Sequence, residues 1–454
     1  MGKRIVVIGG VAAGMSAASK AKRVDRDAEV TVYTDETYIS YSACSLPYLA
    51  KNLISDESEL IARTPEQMKD YGVNVHTGHR VTKILRGEKQ ILVSTPEHGQ
   101  IAVPYDKLVI ATGARNIVPP FPGVDAAGIF TIKGIPDIHR LQAYLAENGC
   151  RSAVVVGGGF IGLEMADALC SLGLGVTILD AAPQVLPILD KDMAERVRAY
   201  VESKGVQVRC GQAVTGFAAD ADGRVSGVAT GEGVYPADVV ILAIGLVPNT
   251  ALAGDCGLAL GFKNAVCTDA TMRTSDPDIY AAGDCAETYH IVSGQGTNVC
   301  LGTLANRNGR IAGENAAGGH QEYRGEVGTA MLKVFEKEAA KTGLSEAEAV
   351  RAGLRAWSVS IDSNTRASGY PGRGPITVKL VIEAETNRLL GGQIFGAEGA
   401  AARINAIAAM VQYHHTVEEL AALDMGYAPP FSPVWDPVLV AAGQAVSRMR
   451  QRRE

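Results

Sequence analysis

The sequence predicts an α/β fold with two Rossmann-like dinucleotide-binding domains and a C-terminal α+β domain, on three observations. Near the N-terminus a short apolar run ends in a glycine-rich turn and leads into a helical stretch. The same succession recurs around Gly157. From about Glu326 the composition shifts, and runs of alternating polarity replace the glycine turns. A chain of 454 residues has room for about two to four domains of this kind, each with its own core.

The first unit opens on Arg4 to Ile8, an apolar run that reads as a buried parallel strand. Gly9-Gly10-Val11-Ala12-Ala13-Gly14 follows, then a helical stretch through Val24 and a second strand from Glu29 to Tyr33. Glycines in such a turn let the backbone approach a pyrophosphate, which rests on the helix N-terminus. Gly9 and Gly14 fit that pattern, and Val11 stands at its middle glycine. The acid that hydrogen-bonds a ribose is expected near Thr34, where Asp35 is the nearest candidate.

The second unit carries every part in order. Strand Ser152 to Val156 runs into Gly157-Gly158-Gly159-Phe160-Ile161-Gly162, a full G-x-G-x-x-G. A helix is expected over Leu163 to Leu172, and strand Val176 to Leu179 ends in Asp180. Asp180 is placed to accept hydrogen bonds from a ribose 2′-hydroxyl. Ala181 and Ala182 follow it, with no Arg or Lys to clamp a 2′-phosphate, which favours NADH over NADPH. Three more stretches, Tyr105 to Ala114, Val239 to Asn249 and Ile279 to Asp284, read as strands whose carboxyl ends meet a cofactor. Asp284 is a candidate to bond a polyol chain, the alternative being an ordinary turn aspartate.

Toward the C-terminus, Ile376 to Glu383 alternates polar and apolar residues, as a half-solvated antiparallel strand does. Leu389 to Phe395 is expected to pair with it, and Ala400 to Tyr413 to form an amphipathic helix. Met425 to Pro433 is too proline-rich for regular structure and reads as a rigid aromatic loop that serves an interface or a site.

Composition excludes several classes. A net charge of −6 argues against nucleic acid, and the basic tail Arg448 to Arg453 reads as a solvated end. No run reaches the roughly 18 apolar residues of a membrane span. The N-terminus enters a strand at once, so no signal peptide is expected and the reading is cytoplasmic. Eight scattered cysteines show no metal-ligand spacing and fit free thiols in a reducing compartment.

One cysteine stands apart. Cys44 lies in Tyr38 to Leu49, among small and aromatic residues, with no second cysteine in the ten positions that follow. A local dithiol is excluded, so a redox-active Cys44 would pair with a substrate thiol or be oxidised alone. Such chemistry needs a thiolate, stabilised by a helix N-terminus, a positive partner or an oxidised flavin ring. Pro47 suits a first helical turn, and a helix starting near Cys44 would turn its N–H groups toward the sulfur. The alternative is a buried structural thiol.

Taken together these features resemble the flavin- and pyridine-nucleotide-dependent disulfide reductases, over essentially the whole chain. Within that family the single-cysteine branch is most similar: coenzyme A disulfide reductases, NADH-dependent persulfide reductases, NADH oxidases and NADH peroxidases. Ile39-Ser40-Tyr41-Ser42-Ala43-Cys44-Ser45-Leu46-Pro47-Tyr48 is similar to the pattern I-S-F-x-N-C-G-L-P-Y. Tyr427 to Ser432 matches the Y-A-P-P-[FY]-S of the coenzyme A disulfide and persulfide reductases.

The resemblance implies FAD bound by residues 1–115 and 250–325, NADH bound by residues 116–249, and a homodimer built by residues 326–454. Gly9, Gly14, Asp35, Ala114 and Asp284 map to FAD contacts. Gly157, Gly159, Gly162, Glu164, Asp180 and Gly245 map to NADH or its surroundings. Cys44 would be the redox centre, with Tyr427 of the other subunit protonating the departing thiolate or holding the substrate sulfur. Ser40 and the basic residues Lys20, Lys22 and Arg23 of the first helix would meet a coenzyme A-linked substrate, the basic three otherwise forming a solvated face. The implied reaction passes hydride from NADH through FAD to Cys44, which reduces a small-molecule disulfide or persulfide. An NADH oxidase and an electron-transfer flavoprotein with an idle cysteine are the alternatives. Ala43 and Ser45 depart from the usual Asn and Gly beside the cysteine, and Thr34 from the usual acid. Ala12 stands where the peroxidases carry a histidine, which disfavours peroxidase chemistry.

Overall fold

The computed structural model describes residues 2–453, and the side chains of Arg452 and Arg453 at the end of the basic tail lie outside the described residues. Two five-stranded parallel sheets are built to one plan. The first runs Ile279–Ala281, Lys107–Ile110, Arg4–Ile8, Glu29–Tyr33, Val73–His76. The second runs Gln207–Cys210, Gly175–Asp180, Ser152–Val156, Val239–Leu242, Ile129–Phe130. Their central strands are rich in Val and Ile because helices and loops cover both faces. Val7, Ile110, Val155 and Ile241 are fully buried.

In both sheets the glycine turn follows the third strand, and a three-stranded antiparallel sheet precedes a neighbouring strand. These small sheets are Arg80–Leu85 with Gln90–Thr95 and Gly99–Pro104, and Val214–Ala219 with Val225–Thr230 and Gly233–Pro236. The first sheet takes its edge strand, Ile279–Ala281, from beyond the second. The chain therefore leaves the first unit and returns to it. At this crossing Ala114–Asn116 pairs antiparallel with Leu246–Pro248. The Asn249 side chain donates to the Thr112 carbonyl at 3.0 Å, and the Thr112 hydroxyl donates to the Asn249 carbonyl at 2.6 Å. The two stretches read as separate strand ends are thus a paired junction.

The C-terminal sheet is antiparallel, in the order Ala330–Val334, Lys337–Gly343, Leu389–Gly396, Pro375–Glu383, Ala356–Asn364. One face packs on the helices Ile404–Gln412 and Pro437–Arg453 through Val378, Leu380, Ile394, Ile407 and Ala441. Here the alternating pattern misled. Pro375–Glu383 has no solvated face, and every residue after Pro375 is buried. Its lysine meets the second dinucleotide unit instead of water, while Thr377 donates to Asp362 at 2.6 Å and Glu383 pairs with Arg388 at 3.0 Å. Lys379 Nζ lies 3.2 Å from Asp190, 2.8 Å from Asp192 and 2.8 Å from Glu346. Gln393 donates to Asp190 at 2.6 Å. Among the described residues, no helix is long and apolar enough to cross a membrane.

Candidate active site

The two glycine turns superimpose in their bonding. The Gly9 N–H donates to the Tyr33 carbonyl at 2.9 Å, and the Gly157 N–H to that of Leu179 at 2.7 Å. Their φ angles, +113° and +107°, belong to the region that favours glycine. A Cβ on Gly14 would strike the Gly9 carbonyl, and one on Gly162 the Gly157 carbonyl. The helices that follow, Ala12–Val24 and Phe160–Ser171, have no side-chain cap. Their first-turn N–H groups are free to hold a pyrophosphate, so both turns fit a dinucleotide.

The strand ends differ. Asp180 accepts from the Gly158 N–H at 2.6 Å through one oxygen and from the Ala182 N–H at 2.7 Å through the other. In the first unit the residue after the strand is Thr34, buried, whose hydroxyl accepts from the Glu36 N–H at 3.3 Å. Asp35 is exposed. By register, Thr34 occupies the place of Asp180, and Asp35 points away from it.

Cys44 lies in a single 3₁₀ turn, Ala43–Ser45, ahead of the five-residue helix Leu46–Ala50. That helix is too short to act as the expected dipole. A longer one takes the role: a Cβ on Gly302, the first residue of helix Gly302–Ala316, would lie 3.7 Å from the Cys44 sulfur. Cys44 is exposed as a residue, yet its thiol is pushed up by burial of the sulfur, then by Glu164 and Asp284. Lys133 and the backbone N–H of Cys44 oppose them. Glu164 is itself pushed up to about 7 by burial and by Asp167. Tyr48 lies 3.5 Å from Glu164, and burial with that acid raises its hydroxyl to about 12. Burial raises Asp284, and Lys133 Nζ stands 3.9 Å away. A half-buried carboxyl so placed suits a polyol hydroxyl.

Other expected residues found different surroundings. Lys20 pairs with Glu314 at 2.8 Å, and Lys22 donates to the carbonyls of Arg26 and Ala28 at 2.8 and 2.7 Å. Arg23 keeps its guanidinium at the surface, with Nε on the Ser19 carbonyl at 3.2 Å. Ser40 sits at φ +51°, its N–H on the Gly10 carbonyl at 2.9 Å. Ala114 is buried, and Gly245 accepts from Ile117 N–H at 3.0 Å.

Tyr427 is 48% exposed on the C-terminal loop, and among the described residues no hydrogen bond joins it to Cys44. Sequence reasoning missed Lys133, which stands between Asp284 and the Cys44 sulfur. Cys300 lies two residues before Gly302, and burial pushes its thiol up to about 12. Tyr370 sits on a loop joined to the Tyr427 loop by Ala367 N–H donating to the Pro429 carbonyl at 3.3 Å.

Comparison with known proteins bears on this arrangement. Residues 3–306 match the family model of the pyridine nucleotide-disulphide oxidoreductases, and residues 329–437 match the dimerisation domain of that family. A CoA-dependent NAD(P)H sulfur oxidoreductase of Pyrococcus abyssi is 38% identical over 442 residues, 97% of each chain. An NADH oxidase of Methanocaldococcus jannaschii is 36% identical over 454 residues, 99% of this chain and 100% of the other. The structure of an NAD-dependent persulfide reductase from A. fulgidus superimposes with a TM-score of 0.95 at 38% identity, covering 98% of this chain and 84% of that one. With two glycine turns, a cysteine between them and a dimerisation domain, the chain belongs to the pyridine nucleotide-disulphide oxidoreductases, as an enzyme that uses FAD and NAD(P)H.

Proposed function

We propose that the chain is an NADH-dependent reductase of small disulfides or persulfides, coenzyme A-linked, with Cys44 as its single redox thiol. The observation that carries this reading is that the lone Cys44 sulfur sits at the N-terminus of helix Gly302–Ala316, between the two dinucleotide units. In this reading residues 1–115 and 250–325 hold FAD, residues 116–249 hold NADH, and residues 326–454 pair two chains in the cytoplasm. Gly9, Gly14, Ala114 and Asp284 contact FAD. Gly157, Gly159, Gly162, Glu164, Asp180 and Gly245 surround NADH. Thr34 replaces Asp35 at the first ribose. Arg23 and Ser40 remain for the substrate, while Lys20 and Lys22 hold the first helix in place.

Bound FAD supplies the route for an electron pair from NADH to sulfur. The protein's own part begins with the Cys44 thiolate, favoured by the N-terminus of helix Gly302–Ala316 and by Lys133. It attacks the sulfur–sulfur bond of the substrate, forms a mixed disulfide and expels one thiolate. The partner subunit's Tyr427 donates a proton to that leaving group. Two electrons and a second proton then release the other thiol and restore Cys44. A second reading, reduction of oxygen through a Cys44 sulfenic acid, is favoured by the similarity to an NADH oxidase over the whole chain.

Anaerobic titration tests the centre. The FAD-loaded enzyme, oxidised at Cys44, should take up about two NADH equivalents per flavin, and Cys44→Ser about one. Cys44→Ser should also lose coenzyme A disulfide and coenzyme A persulfide reduction while NADH still bleaches the flavin. Equal turnover by the mutant would make Cys44 a structural thiol and the protein an electron carrier. A coenzyme A adduct on Cys44 in the mass spectrum of the isolated protein would fix the substrate class, and its absence alongside rapid oxygen uptake would favour the oxidase.

A further inference from the structure

The loop that carries Tyr427 has no regular structure, and Tyr427 has no side-chain hydrogen-bond partner among the described residues. Whatever aims this tyrosine must act on the backbone of its loop. One buried side chain does so. Arg403, at the end of the turn Ala401–Arg403, donates Nη2–H to the Phe431 carbonyl at 2.7 Å and to the Thr365 carbonyl at 2.8 Å. The first carbonyl belongs to the Tyr427 loop. The second opens the loop that carries Tyr370, which Thr365 N–H closes onto the Gly374 carbonyl at 2.9 Å.

Arg403 also donates Nη1–H to the Gly399 carbonyl at 2.6 Å and Nε–H to Asp436 at 2.8 Å. Both side chains of this ion pair are nearly excluded from water, at 8% and 7% exposure. Asp436 is fixed in turn. One oxygen accepts from the Ser432 hydroxyl at 2.9 Å, and the other from the Val438 N–H at 2.9 Å, in the first turn of helix Pro437–Arg453. The rigid helix orients Asp436, Asp436 orients the guanidinium, and the guanidinium fixes two loops. Four donors in one plane reach four acceptors, which the single ammonium of a lysine cannot reproduce.

We propose that Arg403 is a positioning residue for sulfur reduction, holding the loop that presents Tyr427 to the Cys44 of a second copy of this chain. The inference rests on the proposed function, since it takes the neighbouring subunit's Cys44 as the target. A Tyr427 hydroxyl about 1 Å out of place would slow proton donation without touching the path from NADH to flavin.

The test uses the FAD-loaded dimer with coenzyme A disulfide as substrate. Arg403→Lys should lower kcat about 10- to 100-fold, with flavin reduction by NADH and the dimer mass by light scattering unchanged. Asp436→Asn should act in the same direction more weakly. In a Tyr427→Phe background, Arg403→Lys should cost less than about twofold further, because the group it aims is gone. A merely structural Arg403 would cost the same in both backgrounds, which would overturn the proposal, as would a wild-type kcat for Arg403→Lys. Should Arg403→Lys fail to dimerise, Asp436→Asn decides: a dimer with wild-type kcat refutes the inference. The two ideas fail differently. A Tyr427→Phe variant as fast as wild type removes Tyr427 from the reaction, whereas a slow Tyr427→Phe beside a fast Arg403→Lys removes only the role of Arg403.

Discussion

At Cys44 the reactivity of one sulfur is set by opposed fields. Burial and two carboxylates disfavour the thiolate, while Lys133 and a backbone N–H favour it. Glu164 is the adjustable member, because its own ionisation falls at about 7. As pH rises through that value Glu164 gains charge, and the Cys44 thiolate becomes harder to form. Glu164→Gln removes this opposition. Alkylation of Cys44 by iodoacetamide should then be faster than in wild type at pH 8, where Glu164 is charged, with the difference fading toward pH 6. An unchanged rate at pH 8 would separate the two groups. Cys44 itself was legible as a lone cysteine in an aromatic run. Glu164 as its neighbour was not, because it comes from the helix of the other dinucleotide unit.

At the scale of elements, the two strand–turn–helix units share a backbone and differ at one residue. Asp180 has both carboxylate oxygens pinned by backbone N–H groups, so it is oriented before any nucleotide arrives. A ribose 2′-hydroxyl can share that carboxylate, and a 2′-phosphate is repelled by it. Wild type should prefer NADH, and Asp180→Ala should lower kcat/KM for NADH about 10- to 100-fold more than for NADPH, the worth of a charged hydrogen bond. Equal use of both nucleotides by the wild type would refute this. The G-x-G-x-x-G turn and its acid were readable because all of them lie in one local segment. In the first unit the register puts Thr34 in the place of Asp180, so Asp35, the nearest acidic candidate, lies one residue beyond it, and a shift of one residue turns a side chain to the opposite face.

Across the whole molecule, the second dinucleotide unit is locked to the C-terminal sheet by Lys379. Its ammonium is buried among Asp190, Asp192 and Glu346, and Asp190 is itself 8% exposed. Lys379→Met would leave Asp190 buried with only Gln393 and backbone donors, at a cost of about 3 kcal/mol. Urea unfolding should show a lower midpoint, and limited proteolysis should reach the 181–191 connection sooner. A midpoint equal to that of wild type would mean that packing alone joins the two units. The expectation of a solvated face on this strand failed for the same reason: a lysine in an alternating strand usually faces water, and here another domain stands in its place.

The sequence alone determined the two glycine turns, the lone Cys44 and the proline-rich Tyr427 loop, and with them the α/β class and the family. Each depends on spacing within a few residues, and strand pleat, helix turn and glycine conformation are local properties. Only the tertiary structure decided that the N-terminus facing Cys44 belongs to helix Gly302–Ala316, that Lys20 and Lys22 are taken up by partners in the chain, and that Arg403 ties the tyrosine loops together. Those relations join residues far apart in the chain. They follow from how sheets and helices pack against one another, which no local pattern encodes.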